Sequence, residues 1–196
     1  GANLNSSTFS GADLGGAKFS ASTTFAGTIF TGTNLEDAYF ADANLSLVDF
    51  GKDVFGEAAN LTDANMSGAT LYKSDLSNAD LKGADMSGAT LEETNLSGAI
   101  LANVKMSGVD LSSILNRAMN GTVGSLADHQ GAKFDSFNGN PADLTSLNVS
   151  WSDLAAASFN GSTLNNTILS NSILTNATFI ESDLTSADLS DANLTS

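Results

Sequence analysis

Every fifth residue of the chain is Leu, Phe or Met over almost its whole length. The series opens at Leu4, Phe9, Leu14 and Phe19, resumes at Phe25, and runs through Phe30, Leu35, Phe40, Leu45 and Phe50 to Phe55. It resumes again at Leu61 and passes through Met66, Leu71, Leu76, Leu81, Met86, Leu91, Leu96, Leu101 and Met106 to Leu111. From Leu144 it keeps its period, with Val149 in one place, through Phe159, Phe179 and Leu189 to Leu194. A fixed internal period is the mark of a repeat architecture. A helix returns to one face every three or four residues and a strand every second residue, so neither explains a spacing of five. A chain that turns a corner every five residues does. Each short side then points one large residue inward, and the corners keep the chain coiling.

The residue two before each central position is nearly always small: of 33 such positions, Ala fills 17, Ser 6 and Thr 5. Residues two apart on an extended segment share a side, so the small one fits beside the large one in the interior. The exceptions are Val48, Asp53, Val104, Val109 and Leu147. The other positions are polar. Asp or Asn often precedes the central residue (Asp13, Asn44, Asp75) and Gly often stands two after it (Gly11, Gly68, Gly88), residue types that tolerate turns. A longer period overlies the first: Met66-Ser-Gly-Ala-Thr-Leu71 recurs as Met86-Ser-Gly-Ala-Thr-Leu91 and as Met106-Ser-Gly-Val-Asp-Leu111, 20 residues apart. Four sides per turn make a square coil, and the repeats make about eight coils, a rod roughly 40 Å long at ~4.8 Å per coil. The expected core is Leu4, Phe9, Leu14, Phe30, Phe50, Leu61, Met66, Leu71, Met86, Leu91, Met106, Leu111, Leu144, Phe159, Phe179 and Leu189.

The motif in Ala12-Asp13-Leu14 or Ala187-Asp188-Leu189 resembles that of the pentapeptide repeat family, and the resemblance covers about 165 of the 196 residues. It implies an all-β fold, a right-handed quadrilateral β-helix. The periodicity alone yields the square coil and not its hand.

At 196 residues the chain reads as one solenoid domain, residues 1–196, with an interruption at 112–141. With no Cys it has no disulfide or thiolate metal site, which leaves the compartment open. No segment approaches the ~20 apolar residues of a membrane span, and no signal peptide is visible. The chain opens and closes inside repeats, at Gly1-Ala2-Asn3-Leu4 and Leu194-Thr-Ser, which reads as a domain cut from a longer protein. The net charge of −15 repels nucleic acid and anionic membranes. The acids lie at outward positions in broken columns: Thr163 separates Asp143 from Asp183, and Asp85 falls between Asn65 and Lys105.

Two single-residue insertions, between Phe19 and Phe25 and between Phe55 and Leu61, are expected to form bulges or wider corners. The segment 112–141 is different. It holds the one His and the one Pro of the chain, and Arg117, His129, Lys133 and Phe137 make it a candidate partner-binding loop. A segment this long within a compact domain is often functional. It reads as a protruding loop or a distorted coil.

An active site needs titratable groups converging in a pocket. One His, no Cys and a filled interior leave little material for one, so no catalytic residue, cofactor or metal site is assigned. Two functional classes follow. The first is a non-catalytic acidic rod acting as a structural or protein-interaction scaffold, with other proteins as partners. The second, implied by the family resemblance, is a DNA mimic that binds DNA gyrase or topoisomerase in the manner of quinolone-resistance proteins.

Overall fold

The computed structural model describes residues 1–110 and 142–195. Each five-residue side pairs in parallel with the coils before and after it: Asn34 bridges Asp13 on one side and Asn60 on the other, and Asn60 bridges Asp80. Paired residues lie 21 apart from Asn3 to Thr24, 20 apart from Asn65 to Asp85, and 26 apart from Asn34 to Asn60. Four columns run through residues 1–110, starting at Asn3, Thr8, Asp13 and Lys18. Residues 142–195 stack in the same way from Asp143, Asn148, Asp153 and Ser158. The architecture is a β-helical solenoid of stacked four-sided coils.

One repeat shows why these residue types build it. Leu35 N–H donates to the Asn60 carbonyl (2.7 Å), Asn34 N–H to Ala12 (2.9 Å), Asp37 N–H to Thr62 (2.9 Å) and Ala38 N–H to Leu35 (3.0 Å). The last bond closes a β-turn whose third residue, Asp37, has φ +57°, the pattern of a type II turn. One N–H is left, that of Glu36, and it donates to Asn34 Oδ1 at 3.2 Å. All five backbone donors are thereby paired, as a structure with no long strands requires. The same side-chain bond recurs from Ser67 to Asn65 (3.0 Å), Ser77 to Asp75 (2.8 Å), Thr145 to Asp143 (3.0 Å) and Ser190 to Asp188 (2.9 Å). The Asn or Asp before the central residue is therefore a specific acceptor for the corner's remaining N–H, beyond general turn tolerance.

The central residues point inward. Phe30, Phe50, Leu61, Met66, Leu71, Met86, Leu91, Met106, Leu144 and Phe159 are buried. Leu4, Phe9, Leu14, Phe179 and Leu189, in the first and last described coils, are partly buried and pack against that core. Leu111 lies outside the described residues. The small residues fit beside them, and where Thr takes the place its hydroxyl is satisfied: Thr33 Oγ1 donates to the Phe9 carbonyl (2.8 Å) and Thr94 Oγ1 to Leu71 (2.7 Å). Phe9, Phe30 and Phe50 stack face to face in successive coils, with centroids 5.3 and 5.5 Å apart. Phe159 stacks on Phe179 at 4.9 Å.

The extra residue between Phe19 and Phe25 widens one corner. The turn there closes from Thr23 N–H onto Ser20 (2.8 Å), and pairing shifts from 21 to 20 residues beyond it. The second insertion departs from expectation. Phe55 does not point inward: it is 86% exposed, and Val54 beside it is 93% exposed. The coil closes without them, because Ala59 N–H donates to the Phe50 carbonyl (3.0 Å), the bond ordinarily made by the third residue after a central one. Residues 51–58 thus leave the coil as a loop. The physical reason is Asp53. It occupies the place where Ala, Ser or Thr would enter the core, and an unpaired carboxylate is costly to bury there.

Candidate functional site

The loop 51–58 is organised by the side chain that expels it. Asp53 Oδ1 accepts from Phe55 N–H (2.8 Å) and from Glu57 N–H (2.9 Å). Asp53 N–H donates to the Glu57 carbonyl (2.8 Å), and Gly56 N–H to Asp53 (3.0 Å). Gly56 sits at φ +87°, a conformation glycine adopts without strain. These bonds hold the backbone while the apolar side chains at its tip stand in water. Between the loop and the flat side behind it lies an open groove of about 410 Å³, lined by Ile29, Thr31, Asp49, Lys52, Val54 and Phe55.

Burial pushes the Asp49 carboxyl above its ordinary range, the Gly51 N–H bond opposes that rise, and the charge of Asp75 in the next coil adds to it. That bond is 2.9 Å long. The arrangement offers a preorganised apolar contact beside a partly shielded carboxylate. A partner docking on it loses little of its binding energy to ordering the loop.

The acids elsewhere have a double character. Asp13, Asp75, Asp80, Asp85, Asp143, Asp153, Asp183 and Asp188 each accept a corner N–H as Asn does at neighbouring positions, so the position requires the acceptor and not the charge. Lysines interrupt the anionic surface of the first segment: Lys73 reaches Glu93 (3.5 Å), Lys82 reaches Asp80 (3.6 Å) and Lys105 reaches Asp85 (3.9 Å). Such exposed pairs add little stability, and their effect here is to break the field.

The loop residues singled out by sequence, Arg117, His129, Lys133 and Phe137, lie outside the described residues. Sequence reasoning passed over Phe55 because it kept the period. The signal that marks it is Asp53, the one charged residue among the small-residue positions. Among the described residues no helix is long and apolar enough to cross a membrane, and no group of three or more His, Cys, Asp or Glu is arranged to hold a metal ion.

The solenoid has counterparts among solved structures. HetL, a pentapeptide repeat protein involved in heterocyst differentiation regulation in the cyanobacterium Nostoc, is 25% identical over 97% of this chain and 86% of its own, with a TM-score of 0.44. QnrB1, a plasmid-mediated fluoroquinolone resistance protein, is 16% identical over 99% of this chain and 92% of its own, with a TM-score of 0.52, a likeness of fold. No curated relative matches the chain at significance. The profile of the pentapeptide repeats matches in eight copies, over residues 1–23, 21–52, 57–88, 74–112 and 157–195. Its matches stop at 52 and resume at 57, leaving out the loop tip that the coil also leaves out. The chain belongs to the pentapeptide repeat family.

Proposed function

We propose that this chain is a non-catalytic, acidic interaction scaffold: a rigid solenoid that presents fixed contacts to other proteins, with the Phe55 loop as one of them. The observation that carries this reading is the loop itself. The coil closes without residues 51–58, yet Asp53 ties them into one conformation with Val54 and Phe55 in solvent. Exposed aromatics on an ordered backbone are the usual anchors of protein interfaces. The net charge of −15 favours protein partners over nucleic acid or anionic membranes. The reading extends to a right-handed coil of about eight turns, the form that the family and the repeat count support.

The test is photo-crosslinking from position 55, with benzoylphenylalanine in place of Phe55 and, as control, in place of outward-facing Thr90. A discrete adduct from position 55 that disappears in Val54→Ser supports the scaffold. Equal labelling from both positions would sink the loop as a contact.

A second reading, a DNA mimic acting on DNA gyrase, is supported by one observation: Asp49 and Asp75 are paired in successive coils and leave two carboxylates in line on one side. QnrB1, which shares the fold, is a fluoroquinolone resistance protein. The lysines among the acids of the first segment weaken this reading. Salt-sensitive inhibition in a gyrase supercoiling assay titrated with the chain would support it, and supercoiling unchanged at micromolar protein would remove it.

A further inference from the structure

The loop 51–58 decides more than its own conformation. Across it the pairing interval is 26 residues: Asn34 with Asn60, Tyr39 with Asn65, Asn44 with Thr70 and Asp49 with Asp75. Everywhere else among the described residues it is 20 or 21. Phe55 keeps the five-residue period after Phe50, so the chain has a second way to coil. With Phe55 inside, it would fill the side now held by Leu61, and residues 61–110 would move on by one side. Asn34 would then pair with Val54 and Tyr39 with Asn60, 20 and 21 residues apart, the intervals of the rest of the rod.

The interior does not distinguish the two stacks. At the junction Leu35, Phe40, Leu45 and Phe50 now lie over Leu61, Met66, Leu71 and Leu76. The slipped stack would set the same four over Phe55, Leu61, Met66 and Leu71, large apolar residues again. The Phe9–Phe30–Phe50 stack lies wholly before the junction and the Lys105–Asp85 pair wholly after it, so both survive either way. The slip would also bury Phe55, now 86% exposed, so hydrophobic burial favours it. A register that the apolar pattern leaves open has to be fixed by something else.

Two features fix it. Asp53 stands two before Phe55, and in the slipped stack its carboxylate would enter the core without a partner. Outside, the same carboxylate accepts from Phe55 N–H and Glu57 N–H. The second feature is the six-residue interval from Phe55 to Leu61. The coil absorbs one such interval after Phe19, where Ser20 Oγ shares hydrogen bonds with Ser22 Oγ (3.0 Å) and Thr23 Oγ1 (3.3 Å) in the widened corner. Gly56-Glu57-Ala58 would bring no hydroxyl to such a corner.

We infer that residues 53–58 are a register lock. They hold the solenoid in one of two stackings with equivalent interiors, and so set which outward columns run on from residues 1–50 into 60–110. The native stacking places Asp49 on Asp75 and joins Tyr39 to the column of Asn65, Asp85 and Lys105. The slip would instead join Tyr39 to the column of Asn60, Asp80 and Ile100, and would change every face that crosses the junction. A partner that spans the junction therefore reads the register. The lock is independent of whether Phe55 also touches a partner.

The chain has no Cys, so pairs of introduced thiols report the stacking through a short thiol-to-thiol cross-linker. Tyr39→Cys with Asn65→Cys links in the native register, and Tyr39→Cys with Asn60→Cys in the slipped one. Asn60 and Asn65 each accept a corner N–H, from Thr62 and Ser67, so the two pairs disturb the coil alike. The native chain should link only the first pair. Asp53→Ala alone, and deletion of Ala58 alone, should leave that result unchanged, because one feature still holds the loop outside. Together they restore an unbroken period of five with Glu57 at the corner, a place that Glu93 fills at φ +55°. This double variant should lose the 39–65 link and gain the 39–60 link while remaining folded by circular dichroism. Deletion of residues 53–58 joins Lys52 to Ala59 and should keep the 39–65 link, since Lys73 fills the equivalent corner at φ +56°.

A native chain that forms both links, or a double variant that keeps the 39–65 link, overturns the proposal. Loss of folding in the double variant overturns it too, because the slipped interior is required to be complete. Failure of the 53–58 deletion to fold would make the loop a support of the coil, and the lock would fall with it.

Discussion

The Phe stack offers the sharpest test of how the interior is held together, through Phe30→Leu. Phe30 is fully buried and lies between Phe9 at 5.3 Å and Phe50 at 5.5 Å, with interplanar angles of 16° and 12°. It also meets Phe40 edge-on at 6.3 Å. Leu fits the site, because Leu35 and Leu45 hold the same place on other sides of the rod. The substitution therefore removes the ring without changing the backbone. Each stacked partner contributes about 0.5–1.5 kcal/mol beyond its area, so two contribute about 1–3 kcal/mol. Lost apolar burial and the space left behind add about 1 kcal/mol. The expected cost is about 2–4 kcal/mol. Phe50→Leu is the internal control, since Phe50 has one stacked partner and one edge contact, to Phe40 at 6.4 Å. It should cost less by about one pair, ~0.5–1.5 kcal/mol. Solenoids can unfold by segments, so urea unfolding followed by circular dichroism should be paired with amide exchange at Leu35 and Ala38. If Phe30→Leu cost no more than Phe50→Leu, the stacking argument would be refuted, and volume alone would account for the core.

Met86→Asp places an ionised group in a fully buried column and should destabilise the central coils by about 4 kcal/mol or more; unchanged circular dichroism and melting would contradict the inward assignment. Asp53→Ala removes the acceptor for Phe55 and Glu57 N–H, so both amides should exchange faster while global stability changes by less than about 1 kcal/mol. Asp49→Asn keeps an acceptor for Gly51 and removes a carboxyl whose ionisation burial disfavours. A raised folded pKa means that ionisation opposes folding above it, so the variant should be more stable near pH 7, and the gain should vanish in acid. Asp183 and Asp188 have the opposite sign. Hydroxyl and N–H bonds from Thr185 and Ser190 hold their carboxyls below the ordinary 3.8. The stability they lend is present above that value and is lost as pH falls through the lower folded values. The protection of the Leu164 and Leu169 amides, which donate to the Asp183 and Asp188 backbone carbonyls, should fall in acid relative to their intrinsic exchange, and Asp183→Asn with Asp188→Asn should flatten that dependence.

Much of this fold is legible in the sequence because every repeat solves the same local problem. A Leu such as Leu35 must leave water, Thr33 must be small enough to sit beside it, and Asn34 must accept the N–H of Glu36. Each requirement selects a residue type within five positions, so it shows as a period. Phe55 shows the limit. It keeps both the period and the apolar character of an inward residue, and only the closing of the coil from Phe50 to Ala59 puts it outside.

The sequence by itself determined the repeat, the four-sided coil, the inward column of Leu, Phe and Met, and the acidic character of the exterior, because these depend on contacts within a repeat or on composition. The tertiary structure alone decided which aromatics face water, which carboxylates are neighbours, and where apolar side chains gather on the outside. Those are relations between residues about 20 or more positions apart, such as Asp49 with Asp75, brought together by the stacking of coils whose register shifts from 20 to 21 or 26 with each insertion. A surface of this kind is assembled across coils, so no single repeat carries its signature.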